Sequence, residues 1–236
     1  MKMKSILISG SFRKTEIPTN IINFIDKNIL EEKNISFISA SFNEYELNDK
    51  QTNKFLNAFK EKKLIFDNTY IIDSRYSKKE MIEIIKNNNI VFLLGGDTLE
   101  QIKSIKDYEL IKSINNDNKI VIGVSAGAIN MAEKVVLAKD IEDNIPELSI
   151  YNGLGITNIN IEPHCDFNNK THWNDLLEAS MYTDLVVMHD DAYIILDDDN
   201  ISYYGHYLIL KKGKLYYRDR KCELEEFLKD IEFNNN

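Results

Sequence analysis

The sequence predicts an α/β fold: a doubly wound, mostly parallel sheet with helices on both faces and antiparallel strands toward the C-terminus. Short apolar runs alternate with amphipathic stretches over roughly the first 135 residues, the order that builds parallel sheets from crossover units. Those runs are nearly continuous in apolar residues, as strands covered on both faces require. Beyond them, strand-like segments follow one another with a single helical stretch among them.

Ser5–Ser9 is the first such run, closed by Gly10. Asn20–Lys33 then sets Ile21, Ile22, Phe24, Ile25 and Ile29 on one helical face. Ile35–Ala40 returns to strand character. Asp49 is placed to cap a helix carrying Phe55 and Phe59, and Thr69–Ile72 follows as a strand. Ser77 through Glu80 has the spacing of a capping box ahead of a helix through Ile85. Ile90–Leu94 is the most apolar strand, Leu99–Ile114 reads as a helix, and Lys119–Val124 as another buried strand. Strands are then expected near Lys134–Ala138, Ile156–Ile161, Leu185–Val187, Tyr193–Leu196, Ser202–Leu210 and Lys214–Tyr217, with a helix around Trp173–Tyr182. Lys211–Lys214 reads as a hairpin turn, placing antiparallel strands at the end of the sheet.

The chain has 236 residues and no Gly/Ser-rich or Pro-rich linker, so residues 1–236 are expected to form one large domain. Its 29 basic and 38 acidic residues give a net charge of −9, a field that repels phosphate backbones and argues against nucleic acid as partner. No apolar run is long enough to span a membrane, and the N-terminal apolar stretch is too short for a secretory signal. Cys165 and Cys222 offer neither a disulfide framework nor a paired metal motif. A reduced, cytoplasmic protein is the expectation, and a homodimer is compatible with it.

Chemistry concentrates at Gly123–Val124–Ser125–Ala126–Gly127, a G-x-S-x-G elbow between a predicted buried strand and a predicted helix. Glycines there permit the tight turn that pushes a serine hydroxyl out at the carboxyl end of a strand. Gly95–Gly96–Asp97–Thr98 ends the preceding strand at the same sheet edge, where a glycine N–H and that of Ala126 can complete an oxyanion hole. His164 follows Pro163 at the end of an apolar strand and is the best-held candidate base; His172 reads as solvated and His206 as packed. Asp140, Glu142 and Asp143 crowd the segment between elbow and histidine, and chemistry alone does not choose among them. A second order, Ser125 with Asp190 or Asp191 and then His206, would suit an esterase-like α/β-hydrolase. Arg13 and Arg75 follow strands at the edge where sites form, and either could clamp a substrate carboxylate.

Leu94–Thr98, Gly123–Ala128 and Gly153–Ile156 leading to Glu162–His164, in that order, resemble the peptidase E / cyanophycinase family of serine peptidases. The resemblance runs from about Ile90 to His164. It implies a fold similar to class I glutamine amidotransferases, Ser125 as nucleophile, His164 as base, and Gly96 and Ala126 as oxyanion-hole donors. By position it implies Asp140 as the third member, whereas cyanophycinase-like members place a glutamate later, which keeps Glu142 and Asp143 in play. Peptidase E enzymes cleave dipeptides with an N-terminal aspartate and carry an arginine-bearing segment after the histidine; here Asp166–Glu178 holds only Lys170 as a cation. Asp97 stands where dipeptidase E commonly has asparagine and could attract a substrate α-ammonium group. The expected function is hydrolysis of short peptides through an acyl-enzyme, with no metal or organic cofactor. A catalytically silent binding protein of the same fold is the competing class.

Overall fold

The computed structural model describes residues 4–10, 16–116, 118–140, 145–169, 172–217 and 220–222. In chain order its elements are β1 (Lys4–Ile8), α1 (Thr19–Asn28), β2 (Asn34–Ile38), α2 (Tyr45–Glu61), β3 (Asn68–Ile72), α3 (Lys78–Asn87) and β4 (Ile90–Leu93). Next come α4 (Thr98–Asp107), α5 (Ile111–Ile114), β5 (Ile120–Val124), α6 (Ala126–Ile129), β6 (Lys134–Leu137), β7 (Ser149–Asn152) and β8 (Asn160–Glu162). The chain closes with α7 (Trp173–Ala179), β9 (Leu185–Met188), β10 (Tyr193–Asp197), β11 (Asn200–Tyr204), β12 (Tyr207–Lys211), β13 (Lys214–Tyr217) and β14 (Arg220–Cys222).

The principal sheet has seven strands in the order β11-β10-β1-β5-β4-β2-β3. Five of them, β1-β5-β4-β2-β3, run parallel, and β10 and β11 are antiparallel additions beside β1. Alternation of side chains sorts the apolar residues onto two faces. Ile6, Ile8, Phe37, Phe92 and Ile122 pack with α1 and with Phe55 and Phe59 of α2. Leu7, Val91, Leu93 and Val121 pack on the other face against Met81 and Ile85 of α3 and Ile102 and Ile105 of α4. Both faces are therefore covered, which is why the strands read as unbroken apolar runs. The capping box at the start of α3 is formed, with the Ser77 side chain accepting from the Glu80 N–H and the Glu80 carboxylate accepting from the Ser77 N–H.

Four local expectations need correction. Asp49 does not begin α2; it lies inside it, and its carboxylate is drawn to Arg75. The single helix expected over Leu99–Ile114 breaks into α4 and α5 at Glu109, which adopts φ +56°. The strand expected from Ile156 begins at Asn160, and β7 pairs with β6 as a separate hairpin. Ser202–Leu210 is two strands, because Gly205 turns the chain at φ +76° while passing so close to Asp191 that a Cβ there would lie 2.5 Å from the Asp191 carbonyl oxygen. The predicted hairpin forms between β12 and β13, but in a second sheet ordered β14-β13-β12-β9-β8. Trp173, Leu176, Val187, Leu208 and Leu215 bury that sheet against α7.

Candidate active site

The carboxyl ends of β1, β4, β5 and β8 deliver four loops to one edge. β5 ends at Ser125, which adopts φ +52° and ψ −118°, a conformation L-residues avoid and a sharp strand-to-helix turn requires. Its N–H donates to the Ile8 carbonyl at 2.9 Å, tying the turn to β1. Ala126 opens α6, so its N–H is one of the first-turn donors that no intrahelical carbonyl accepts.

The loop after β4 passes directly beside the serine. A Cβ on Gly95 would lie 3.3 Å from Ser125 Cβ and 3.9 Å from its Oγ. Gly96 adopts φ +146°, and a Cβ there would lie 2.6 Å from Ala40 Cβ, so neither backbone angle nor space admits a side chain. A buried amide network underlies this loop. Gln101 Nε2 donates to the Leu94 carbonyl at 2.8 Å, Asn130 Nδ2 to the Thr98 carbonyl at 2.9 Å, and the Tyr151 hydroxyl to Asn130 Oδ1 at 2.9 Å. Asp97 accepts from the Glu100 N–H as N-cap of α4 and also lines the cavity at Ser125.

His164 follows β8 and Pro163 at φ +59°. Its N–H donates to the hydroxyl of fully buried Ser9 at 2.9 Å, and that hydroxyl donates to the Met188 carbonyl at 3.2 Å. Ser9 thus bolts together the ends of β1, β8 and β9. In the sequence it reads as a mere interruption of the first apolar run, and only the tertiary fold reveals its role. The imidazole Nδ1–H donates to Asp190 Oδ1 at 2.5 Å, which leaves Nε2 as the acceptor nitrogen. Ser125 and His164 line the same two adjoining cavities, of about 390 and 570 Å³, and Gly96 lines both as well.

Asp140 is placed elsewhere. Its Oδ2 lies 3.8 Å from Nε2 of His172, whose other neighbour is Glu162 Oε1 at 3.5 Å. The Glu162 carboxylate raises the His172 pKa, against the opposing effect of burial. His172 is therefore not the solvated ring its sequence context suggests. Glu142 and Asp143 lie outside the described residues, as does Arg13. Arg75 donates from Nε and Nη2 to Asp73 and from Nη1 and Nη2 to Asp49, and it lines neither cavity. Its charge is spent on holding α2 to the loop after β3. His206 is half exposed and donates from Nδ1 to Asp191 at 2.7 Å, while His189 Nδ1 donates to the other Asp191 oxygen at 3.0 Å. Burial pushes the Asp191 carboxyl up, but the two imidazoles and the His206 backbone N–H, all hydrogen-bonded to it, together hold its pKa below the ordinary value. Neither His189 nor His206 lines the cavities at Ser125. Among the described residues, two trios set their donor atoms within 4.8 Å of one another and could hold a cation: His189, Asp191 and His206, and Asp140, Glu162 and His172.

Fold and site together fit a hydrolase of the α/β class, with a serine on a strained elbow beside a glycine loop. The model of peptidase family S51 matches residues 5–204, and the chain belongs to that family, which makes it a serine peptidase. Among solved structures, a putative peptidase E protein from Listeria monocytogenes EGD-e is similar at a TM-score of 0.64 and 18% identity, covering 86% of this chain and 98% of that one. A peptidase from an acI-B1 Actinobacterium gives 0.68 at 14% identity, covering 94% of each chain. These two likenesses speak for the fold. Among curated proteins none matches the sequence. Among the described residues, no helix is long and apolar enough to cross a membrane.

Proposed function

We propose that the chain hydrolyses dipeptides and other short peptides through an acyl-enzyme, with Ser125 as nucleophile, His164 as general base and Asp190 as the carboxylate that orients the imidazole. The observation that carries this reading is the 2.5 Å contact of His164 Nδ1 with Asp190, on a histidine that shares its cavities with the elbow serine. Nε2 takes the Ser125 proton as Oγ bonds to the scissile carbonyl carbon. The oxyanion is received by the N–H groups of Gly96 and Ala126. Nε2 then returns the proton to the leaving nitrogen as the C–N bond breaks, and water repeats the sequence on the ester.

Asp140 is the residue the resemblance suggests for the third position, but its distance to His172 gives it a different partner. We assign Asp97 and Glu162, which line the cavity with Ser125, to attract the α-ammonium group of the substrate. Arg75, already held by two carboxylates, is not assigned to substrate.

The test pairs a fluorophosphonate probe with a panel of dipeptides bearing aspartyl, glutamyl and neutral first residues. Labelling of the parent that is lost in Ser125→Ala and in His164→Ala, with turnover of at least one dipeptide, is expected. An unlabelled parent would show the serine to be unactivated and the reading wrong.

A further inference from the structure

We propose that His189, Asp191 and His206 form a binding site for a divalent transition-metal ion of the Zn²⁺ type, set where the two sheets part. It stands apart from the peptidase chemistry, since neither histidine lines the cavities at Ser125.

Backbone builds the site. Met188 pairs with Tyr207 in the second sheet, and Tyr193 pairs with Tyr204 in the principal one. The chain therefore crosses between the sheets twice, at residues 189–192 and at 205–206, and the two crossings lie side by side. Main-chain contacts clamp them together. The His189 N–H donates to the His206 carbonyl at 3.0 Å, the Ala192 N–H to the His189 carbonyl at 2.9 Å, and the His206 N–H to Asp191 Oδ1 at 3.3 Å. Gly205 passes so close that a Cβ there would lie 2.7 Å from Ala192 Cα. The Phe167 ring, with its centroid 6.2 Å from that of His189, packs beside the imidazole. Donors from two separate turns are thus in place before any ion arrives, which spares the ordering cost of binding.

The three side chains offer one donor atom each within 4.8 Å of one another. Nδ1 of His189 lies 3.0 Å from Asp191 Oδ1, and Nδ1 of His206 lies 2.7 Å from Oδ2. Zn²⁺ holds nitrogen and carboxylate oxygen at about 2.1 Å, so ligands at the tetrahedral angle stand about 3.3 Å apart. The rings need to withdraw by less than about 1 Å to admit the ion. On binding, each neutral imidazole turns its Nδ1 lone pair to the metal and carries its hydrogen on Nε2. With the rings 51% and 48% exposed, water can take the fourth position. Charge favours a cation as well. Asp190 and Asp191 are adjacent on the first crossing, and among the described residues neither pairs with Lys or Arg; their ion-pair partners are histidines. Neutral imidazoles donate to the Asp191 oxygens without cancelling their charge, whereas a divalent ion does both. Two imidazoles and a carboxylate select Zn²⁺, Co²⁺ or Ni²⁺ over Mg²⁺ and Ca²⁺, which prefer oxygen shells. The trio of Asp140, Glu162 and His172 offers one imidazole in place of two and is the weaker match for this class of ion.

Calorimetry on the full, untagged chain, cleared of metal with a chelator and titrated with Zn²⁺, Co²⁺ and Mg²⁺, reads the site directly. One Zn²⁺ per chain should bind with a Kd below about 100 μM, Co²⁺ should compete for the same site, and Mg²⁺ should bind at least about 100-fold more weakly. In the chain carrying His189→Gln and His206→Gln the Zn²⁺ affinity should fall at least about tenfold, while His172→Gln should leave it unchanged. Zn²⁺ at about 100 times its Kd should raise the unfolding midpoint of the parent by about 5 °C or more, and that of the double variant by less than half as much. In the parent, imidazole ¹⁵N spectra should show Zn²⁺ moving Nδ1 of two of the four histidines, a reading that requires no substitution. A Zn²⁺ Kd above about 100 μM, undiminished affinity in the double variant, or loss of binding in His172→Gln would overturn the proposal. Fluorophosphonate labelling reports on Ser125 and not on this site, so either reading can fail alone.

Discussion

Replacing Asp190 by asparagine tests the assignment of the carboxylate most directly. The substitution keeps the side chain's shape and removes its charge, so it asks what ionisation contributes to His164 when the imidazole takes the serine proton. With charge centres about 4 Å apart, attraction is about 1 kcal/mol at the dielectric of water and about 4 kcal/mol at an effective value near 20. These limits correspond to losses of about fivefold and about 1000-fold in rate. The side chains are 43% and 67% exposed, which places the pair toward the solvated limit. Asparagine can also present its amide to Nδ1 and turn the imidazole to the wrong tautomer, an effect that a carboxylate cannot have. We expect kcat/KM for a dipeptide to fall about 30- to 100-fold, with KM little changed because Asp190 acts on the base and lines neither cavity. Fluorophosphonate labelling should slow in parallel. Asp140→Asn, facing His172 instead, should leave kcat/KM within about threefold of the parent. Parent-like turnover in Asp190→Asn, or a greater loss in Asp140→Asn, would refute the assignment.

Three further outcomes follow from the geometry. Ser9→Ala leaves the His164 N–H and the Met188 carbonyl without the hydroxyl between them, so kcat should fall about tenfold at constant KM and stability by about 1–3 kcal/mol; unchanged kcat with lowered stability would make Ser9 structural alone. Arg75→Ala leaves the fully buried Asp73 carboxylate with the Asn48 amide and a backbone N–H as donors but no counter-charge, and should cost about 3 kcal/mol in denaturant unfolding. A selective rise in KM for acidic dipeptides without that loss would restore it as a substrate clamp. Lys119 is buried with its ammonium group donating to the carbonyls of Ile85, Lys86 and Asn88 at the end of α3, and burial pushes its pKa down from 10.5 to about 8. Between those values the unfolded chain holds the proton that the folded chain has lost, so stability gains with rising pH across that window. The stability difference between parent and Lys119→Met should shift in favour of the parent by up to about 3 kcal/mol from pH 8 to 10.5. Cys165, whose thiol burial pushes up to about 12, acts oppositely above pH 9 but is common to both proteins. A pH-independent difference would refute the shift.

The sequence by itself determined whatever depends on a few consecutive residues. The apolar runs of β1, β4 and β5 announce strands covered on both faces, and G-x-S-x-G announces a serine on a turn because only glycine neighbours leave room for it. Ser77 and Glu80 announce a helix start because the capping box is closed within four residues. Tertiary structure decided which remote groups meet. Asp190 reaches His164 because β8 lies parallel to β9 and their carboxyl ends emerge together, a neighbourhood that no spacing along the chain records. Asp49 finds Arg75 across 26 positions, turning an expected helix cap and an expected substrate clamp into one structural ion pair. Ser202–Leu210 divides between two sheets because Gly205 must pass the Asp191 backbone, although local β propensity runs through the whole segment. Local pattern fixes backbone conformation through sterics and hydrogen bonds of short reach, whereas the partner of a charged side chain depends on strand order, and that order is settled only when the whole core closes.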